Sequence, residues 1–236
     1  MFSFTSFFLS LNLVCFAAAF TPQLKPLRST SLHSSPSSLE ELLSSDSWNP
    51  IKNNLNSVPA FACANDQGQP LQYNVGENPL AFFFLDIDAA KDELQKAEDE
   101  MKMDGLSLVP FPLGEVFEMG AKQMALVIPS SAAIESAGAP KGTNPMGQQI
   151  PLFGCLDMIE TLPDGTSTVP LFLSMDEAKE AMNMALESVP EEEKSKFDVT
   201  VIPLAGTVQM QATNPNKSFT YVPPMASLEY LKSLEK

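Results

Sequence analysis

The chain has 236 residues and carries 29 acidic side chains against 14 basic ones, for a formal net charge of −15. Such an acidic protein is not expected to bind nucleic acid or anionic lipid through bulk electrostatics. Its single arginine and single histidine, Arg28 and His33, both lie before residue 39. The rest of the sequence therefore offers no histidine for acid–base catalysis or metal ligation and no arginine to clamp phosphate. We predict a protein that is not an enzyme and uses no metal or cofactor.

Residues 1–19 are predicted to be a signal peptide. Residues 1–20 have no charged side chain, and Ala17-Ala-Ala19 supplies the small residues that suit cleavage. A membrane anchor is the alternative, although the strongly apolar part, from Phe7 to Phe20, is short for a membrane span.

Residues 20–45 are predicted to be a plastid transit peptide. Up to residue 38 this segment is rich in serine, contains Lys25 and Arg28, and lacks acidic side chains. A signal peptide followed by a transit peptide resembles the bipartite leader of proteins sent to complex plastids. A secreted protein with a disordered linker is the alternative. Removal of residues 1–38 leaves 12 basic side chains against all 29 acidic ones.

The remaining sequence is duplicated. Four segments recur in the same order about 90 positions later: Val58–Cys63 as Ile150–Cys155, Leu85–Lys91 as Leu173–Lys179, Pro112–Met119 as Pro203–Met210, and Val127–Glu135 as Tyr221–Glu229. A repeat of this size changes the interpretation of the whole fold. We predict a first lobe at 46–137, a linker at 138–149 and a second lobe at 150–236.

Each repeat predicts a strand, a second strand, a helix and a third strand. One or two short amphipathic helices in 39–57 precede the first repeat. The predicted pairs are strands Pro59–Ala64 and Pro151–Leu156, strands Leu80–Leu85 and Val169–Leu173, helices with apolar stripes from Ile87 to Met101 and from Met175 to Val189, and strands Leu106–Phe111 and Asp198–Leu204. The first repeat adds strands at Val116–Met119 and Ala125–Ile128 and a helix at Ser131–Ala137. The fold class is α/β, with two pseudo-symmetric lobes. In each lobe a crossover joins parallel strands within a mixed sheet.

The order of several motifs resembles a known family. The motifs are Val58-Pro-Ala-Phe61, Pro79-Leu-Ala-Phe-Phe-Phe-Leu-Asp86 before Asp88-Ala-Ala-Lys91, Val109-Pro-Phe-Pro-Leu-Gly-Glu-Val-Phe117, Val169-Pro-Leu-Phe-Leu-Ser174, and Tyr221-Val-Pro223 with Ser227-Leu-Glu-Tyr-Leu-Lys232. Together they are similar to the 22-kilodalton subunit of the translocon at the inner chloroplast envelope (Tic22-like), from about residue 45 to the end.

The resemblance implies a protein-import factor between the envelope membranes of a plastid. It would bind unfolded precursor proteins that carry transit peptides, in a chaperone-like way, beside or within the translocon. Its partners would be those precursors and the other translocon subunits. No transmembrane segment is predicted in the mature chain, which leaves room for peripheral association with a membrane. The family has no catalytic residues to carry over.

Four residues at matching repeat positions are candidate site residues. Met119 and Met210 are candidates for contact with clients, because methionine adapts to varied apolar ligands. Cys63 and Cys155 could meet near the pseudo-dyad as a disulfide or thiol switch, or could be buried small apolar residues. A thiol-dependent plastid oxidoreductase using either cysteine is the alternative function. A scaffold bridging two translocon subunits is a third.

Overall fold

The computed structural model describes residues 39–75, 78–102, 105–161, 165–214 and 217–235. The predicted signal peptide (1–19) and most of the predicted transit peptide (20–45) lie outside these residues. Two short helices, α1 (Leu39–Leu43) and α2 (Trp48–Leu55), come first, as their apolar spacing predicts. Leu42 of α1 is fully buried in the central core. The folded body therefore begins before residue 46.

The first repeat forms a five-stranded mixed sheet with helices. Its elements are β1 (Pro59–Ala64), β2 (Gln72–Val75), β3 (Asn78–Phe84), α3 (Ile87–Met101), β4 (Ser107–Pro112), α4 (Leu113–Ala121), β5 (Ala125–Ile128) and α5 (Ser131–Ser136). Strand β3 pairs with β1 and β2 in antiparallel orientation and with β5 in parallel, and β1 also pairs with β4.

The second repeat builds a sheet of the same design. Its elements are β6 (Pro151–Gly154), β7 (Glu160–Thr161), β8 (Ser167–Phe172), α6 (Met175–Ala185), a 3₁₀ turn (Leu186–Ser188), α7 (Glu191–Lys194), β9 (Thr200–Pro203), α8 (Leu204–Thr213), β10 (Phe219–Val222) and α9 (Met225–Leu234). Strand β8 pairs with β6 and β7 in antiparallel orientation and with β10 in parallel, and β6 also pairs with β9.

Strand register is repeated as closely as strand order. The pair Phe61–Phe84 between β1 and β3 returns as Phe153–Phe172 between β6 and β8. The pair Phe84–Ile128 between β3 and β5 returns as Phe172–Val222. The structure thus confirms two pseudo-symmetric α/β lobes. The crossover through α3 connects β3 and β4, which run in the same direction but are separated by β1.

One predicted element is wrong, and another ends earlier than predicted. Val116–Met119 is not a strand but part of helix α4, because Leu113, Val116 and Phe117 follow the helical spacing and Pro112 precedes the first turn. The helical stripe predicted from Met175 to Val189 stops early, since α6 ends at Ala185. A 3₁₀ turn over Leu186–Ser188 follows, and Val189 is extended, as expected for the residue before Pro190.

A shared apolar core lies between the two sheets. It contains the inward faces of both sheets together with side chains of α1, α2, α4 and α8. Each sheet also has an outer apolar layer, under α3 in the first lobe and under α6 in the second. The lobes therefore form one packed body, joined through their inner faces.

The last helix of each repeat packs on the other lobe. Tyr230 of α9 contacts Phe61 of β1 edge-to-face, with ring centroids 5.5 Å apart, and belongs to the outer layer of the first lobe. Ala133 of α5 packs with Phe153 and Ala178 in the outer layer of the second lobe. This reciprocal exchange joins the lobes at their outer faces as well as through the core.

Candidate functional site

A cleft of about 220 Å³ lies at the pseudo-dyad between the lobes. Matching residues of the two repeats line it: Leu85–Asp88 with Leu173–Asp176, and Ser130, Ala132 and Ala133 with Pro224, Ala226 and Ser227. Four helices, α3, α5, α6 and α9, begin at its walls.

At each of these four helix starts, at least one backbone N–H is bonded to a side chain. Asp86 accepts from the N–H of Asp88 at 2.9 Å, and the hydroxyls of Ser130 and Ser174 cap α5 and α6 at 3.4 Å each. The Glu177 carboxylate accepts from the N–H of Met225 at 2.9 Å, which ties α6 to α9. Carboxylates at helix N-termini also oppose the helix dipoles. These bonds tie the helix starts together at the cleft.

An apolar pocket of about 260 Å³ opens at one end of the second sheet. We call it the Met210 pocket, and its lining residues are Leu156, Ile159, Ser167, Thr168, Val169, Met210, Lys217, Ser218 and Phe219. Ile159 is 67% exposed and Leu156 is 43% exposed, although both side chains are large and apolar. Exposed apolar side chains grouped around a concavity are typical of a binding surface.

Helix α8 and the loop after β6 create this pocket. Leu204 and Val208 anchor α8 in the central core. Met210 lies further along the helix, half-buried, between that core and the pocket. The loop after β6 brings in Leu156 and Ile159. The predicted strand ran to Leu156, but β6 ends at Gly154, so Leu156 belongs to the loop. The feature of the sequence that could have identified them is the presence of large apolar residues in a short connecting loop.

Met119 occupies the matching place in the first lobe but does not line the Met210 pocket. It is half-buried on α4 and packs against the central core. Its backbone carbonyl accepts from the N–H of Met124 at 2.9 Å, and Met124 itself is 49% exposed just before β5. The two candidate methionines are thus near the first residues of the matching strands β5 and β10, with the open pocket on the side of Met210.

The two cysteines do not form the disulfide considered for them. Cys63 and Cys155 are both free and buried. Cys63 belongs to the outer layer of the first lobe, beneath α3, on the sheet face that points away from the second lobe. Burial, together with the nearby carboxylates of Glu93 and Glu98, raises the pKa of the Cys63 thiol to about 11. This environment opposes the thiolate that a redox nucleophile needs.

A cluster of charges fixes α2 against α4. Lys52 lies 2.9 Å from Glu115 and 2.7 Å from Glu118, and Lys122 lies 2.6 Å from Glu118. Hydrogen bonds from Lys122 and Lys52 lower the pKa of Glu118 to about 2. These groups hold the α2–α4 contact, and none of them lines the Met210 pocket.

The described part of the chain offers neither a metal-binding cluster nor a membrane-spanning helix. It contains no group of three or more histidine, cysteine, aspartate or glutamate side chains placed to hold a metal ion. Within the same residues, no helix has the length and apolar character needed to cross a bilayer.

Comparison with solved structures identifies the fold. One match is Tic22 from Plasmodium falciparum, with a TM-score of 0.63 at 20% identity, covering 78% of this chain and 97% of that one. Another is Anabaena Tic22, a protein of protein transport, with a TM-score of 0.61 at 18% identity, covering 80% of this chain and 98% of that one. No family model and no curated protein matches the sequence. The chain therefore has a Tic22-like fold, as the order of its motifs predicts.

Proposed function

We propose that this chain is a non-enzymatic protein-import factor of the plastid envelope that binds unfolded precursor proteins. The observation that carries the proposal is the Met210 pocket, an apolar concavity on an acidic two-lobed body with the fold of Tic22. The Anabaena protein with this fold is described as a protein-transport protein. The serine-rich leader composition supports a plastid destination, in the space between envelope membranes.

The pocket suits side chains of unfolded clients. Its volume of about 260 Å³ is enough for one or two large apolar side chains. Burial of one such side chain contributes about 1.5–3 kcal/mol. Contacts of this size give weak and reversible holding, as a factor that passes a chain onward requires. Methionine at position 210 adds a lining that adapts to side chains of different shapes.

The charge of the body favours basic clients over acidic ones. From residue 39 onward the sequence has 12 basic side chains against 29 acidic ones. A basic transit peptide would be attracted at long range, and this attraction would weaken as added salt screens it. The pocket would then hold apolar side chains after the encounter. Neighbouring translocon subunits are the expected partners for transfer of the client.

The test compares exposed residues inside and outside the pocket. The Ile159→Glu variant places a charge at the pocket without removing a buried side chain, because Ile159 is 67% exposed. Met184→Glu is the matched control, since Met184 is 60% exposed on α6 and does not line the pocket. Fluorescence anisotropy would measure binding of haem-free cytochrome c, a basic polypeptide that is unfolded without its haem. We expect binding at least fivefold weaker for Ile159→Glu alone. Equal binding by both variants and the unmodified protein would contradict a role for this pocket.

A further inference from the structure

The Met210 pocket adjoins the part of the fold that comes directly after the leader. Helix α2 and the turn after it are bonded to β10: the side-chain amide of Asn54 donates to the Phe219 carbonyl, and the Ser57 hydroxyl donates to the Tyr221 carbonyl at 3.4 Å. Phe219 itself lines the pocket. Only a short turn and α1 separate α2 from residue 38, so the leader joins the fold on the side of this pocket.

The chain before residue 39 is long enough to reach the Met210 pocket. From Asn54, which is bonded to Phe219, the path back along α2, the turn and α1 to Leu39 spans at most about 35 Å. Fifteen residues connect Leu24 to Leu39, and fifteen extended residues span about 50 Å. A side chain at position 24 can therefore reach the pocket without any change in the folded body.

The composition of the leader matches both the pocket and the charge of the body. Residues 20–38 contain two basic side chains and no acidic one, with leucine at positions 24, 27 and 32. From residue 39 onward the chain has 12 basic side chains against 29 acidic ones, so it attracts this basic segment. The pocket is apolar and has room for one or two large side chains. The leader thus combines basic and apolar residues in the same way as the proposed clients.

We propose that residues 20–38 occupy the Met210 pocket in the uncleaved chain, through Leu24 and Leu27, and exclude clients until the leader is removed. This inference rests on the proposed function, because it assigns the client site to the chain's own leader. A segment tethered to its binding site acts at an effective concentration of about 1 mM. An intrinsic Kd of about 0.1 mM is then enough to fill the pocket in about nine-tenths of the molecules and to weaken client binding about tenfold.

Cleavage of the leader after folding tests this autoinhibition. The chain that begins at Phe20, the product of the predicted signal-peptide cleavage, keeps every described residue. A recognition site for a sequence-specific protease, inserted between Ser38 and Leu39, allows the leader to be cut and removed. Fluorescence anisotropy would measure binding of haem-free cytochrome c before and after this step. We expect about tenfold tighter binding after cleavage, and equal binding before and after would overturn the proposal.

Two double variants of the leader separate occupation of the pocket from the effect of charge. Leu24→Ser with Leu27→Ser keeps both basic residues of the leader, and it should give the uncleaved chain the client affinity of the cleaved one. Ser29→Ala with Ser31→Ala is the matched control in the same segment and should leave the inhibition intact. Inhibition that persists in the leucine variant, or that is relieved equally in both variants, would contradict occupation of the pocket by these leucines.

The Ile159→Glu variant distinguishes failure of this inference from failure of the proposed function. It weakens the pocket for the leader and the client alike, so cleavage should change its affinity for haem-free cytochrome c by less than twofold. If cleavage leaves the affinity of the unmodified protein unchanged, the leader does not occupy the pocket. The proposed function then stands if the cleaved Ile159→Glu protein still binds at least fivefold more weakly than the cleaved unmodified protein. Equal binding by those two cleaved proteins would overturn the proposed function as well.

Discussion

Gly114 at the start of α4 lies directly against the backbone of Lys52 in α2. A Cβ atom at position 114 would be 2.4 Å from the Lys52 carbonyl oxygen and 2.5 Å from Oδ1 of Asn56. The repeat places Ala205 at the matching position of α8, where the residue is exposed. Position 114 therefore requires glycine because α2 packs against it. Position 205 can be alanine because, among the described residues, no second copy of α2 packs on α8.

We expect Gly114→Ala to destabilise the protein by about 1–3 kcal/mol, because the added methyl group forces α2 and α4 apart. Gly120→Ala is the control in the same helix, since the nearest atom to its Cβ would be 3.7 Å away. That control should be neutral or stabilising by up to about 1 kcal/mol through helix propensity. Urea unfolding measures both, and an equal effect of the two substitutions would contradict the close contact.

The sequence predicted the local parts of this fold better than the contacts between them. The limits of β1 and α3 follow directly from apolar runs and from the Asp86 cap. The exchange of α5 and α9 between lobes could not be predicted, because local periodicity does not say which sheet a helix covers. Cys63 and Cys155 share a repeat position but form no disulfide, because matching positions in a repeat need not be adjacent in space.

The candidate site shows the same limit. Met210 was identified from repeat symmetry, and it lines an open pocket. Leu156 and Ile159 were not identified as site residues, since Leu156 was predicted to end a strand and Ile159 follows no period.

The stability of the α2–α4 contact should depend on pH. The folded-state pKa of Glu118 is lowered to about 2 from an ordinary value of 4.5, chiefly by hydrogen bonds from Lys122 and Lys52. A lowered carboxyl pKa adds stability that is fully present above pH 4.5 and is lost as the pH falls through about 2. The contribution should be about 1 kcal/mol, as for other partly exposed ion pairs.

Glu118→Gln tests this dependence. The variant should be less stable than the unmodified protein at pH 6, and the difference in free energy of unfolding should close between pH 4.5 and about 2. Urea unfolding at a series of pH values gives this difference. Glu187→Gln, an exposed position outside the cluster, is the control and should show no such convergence. A constant difference across the pH range for Glu118→Gln would contradict the ionic origin of the effect.

Ser227 at the pseudo-dyad is expected to tolerate alanine. Its hydroxyl is fully buried and has no hydrogen-bond partner within the described structure. The matching residue of the first repeat is Ala133, which is also buried. Because an unpaired buried hydroxyl costs free energy, Ser227→Ala should be neutral or stabilising by about 1 kcal/mol. Thermal unfolding checks this, with Thr207→Ala as the contrast, since the buried Thr207 hydroxyl donates to the Leu204 carbonyl at 2.8 Å. A loss of more than 1 kcal/mol for Ser227→Ala would mean that the hydroxyl has a partner.

The burial of Leu42 limits how far along the chain the leader can be cut without loss of stability. The predicted transit peptide ends at residue 45, but Leu42 is 0% exposed within the central core. Replacement of Leu42 by alanine should cost about 2–5 kcal/mol, as for other buried leucines. The same change at Leu39, which is 37% exposed, should stay within about 0.5 kcal/mol. A chain that starts at Asp46 loses all of α1 and should be destabilised at least as much as Leu42→Ala. We therefore expect N-terminal sequencing of the processed protein to find a start before Leu42, and a start at or after residue 46 in a stable protein would show that α1 is dispensable.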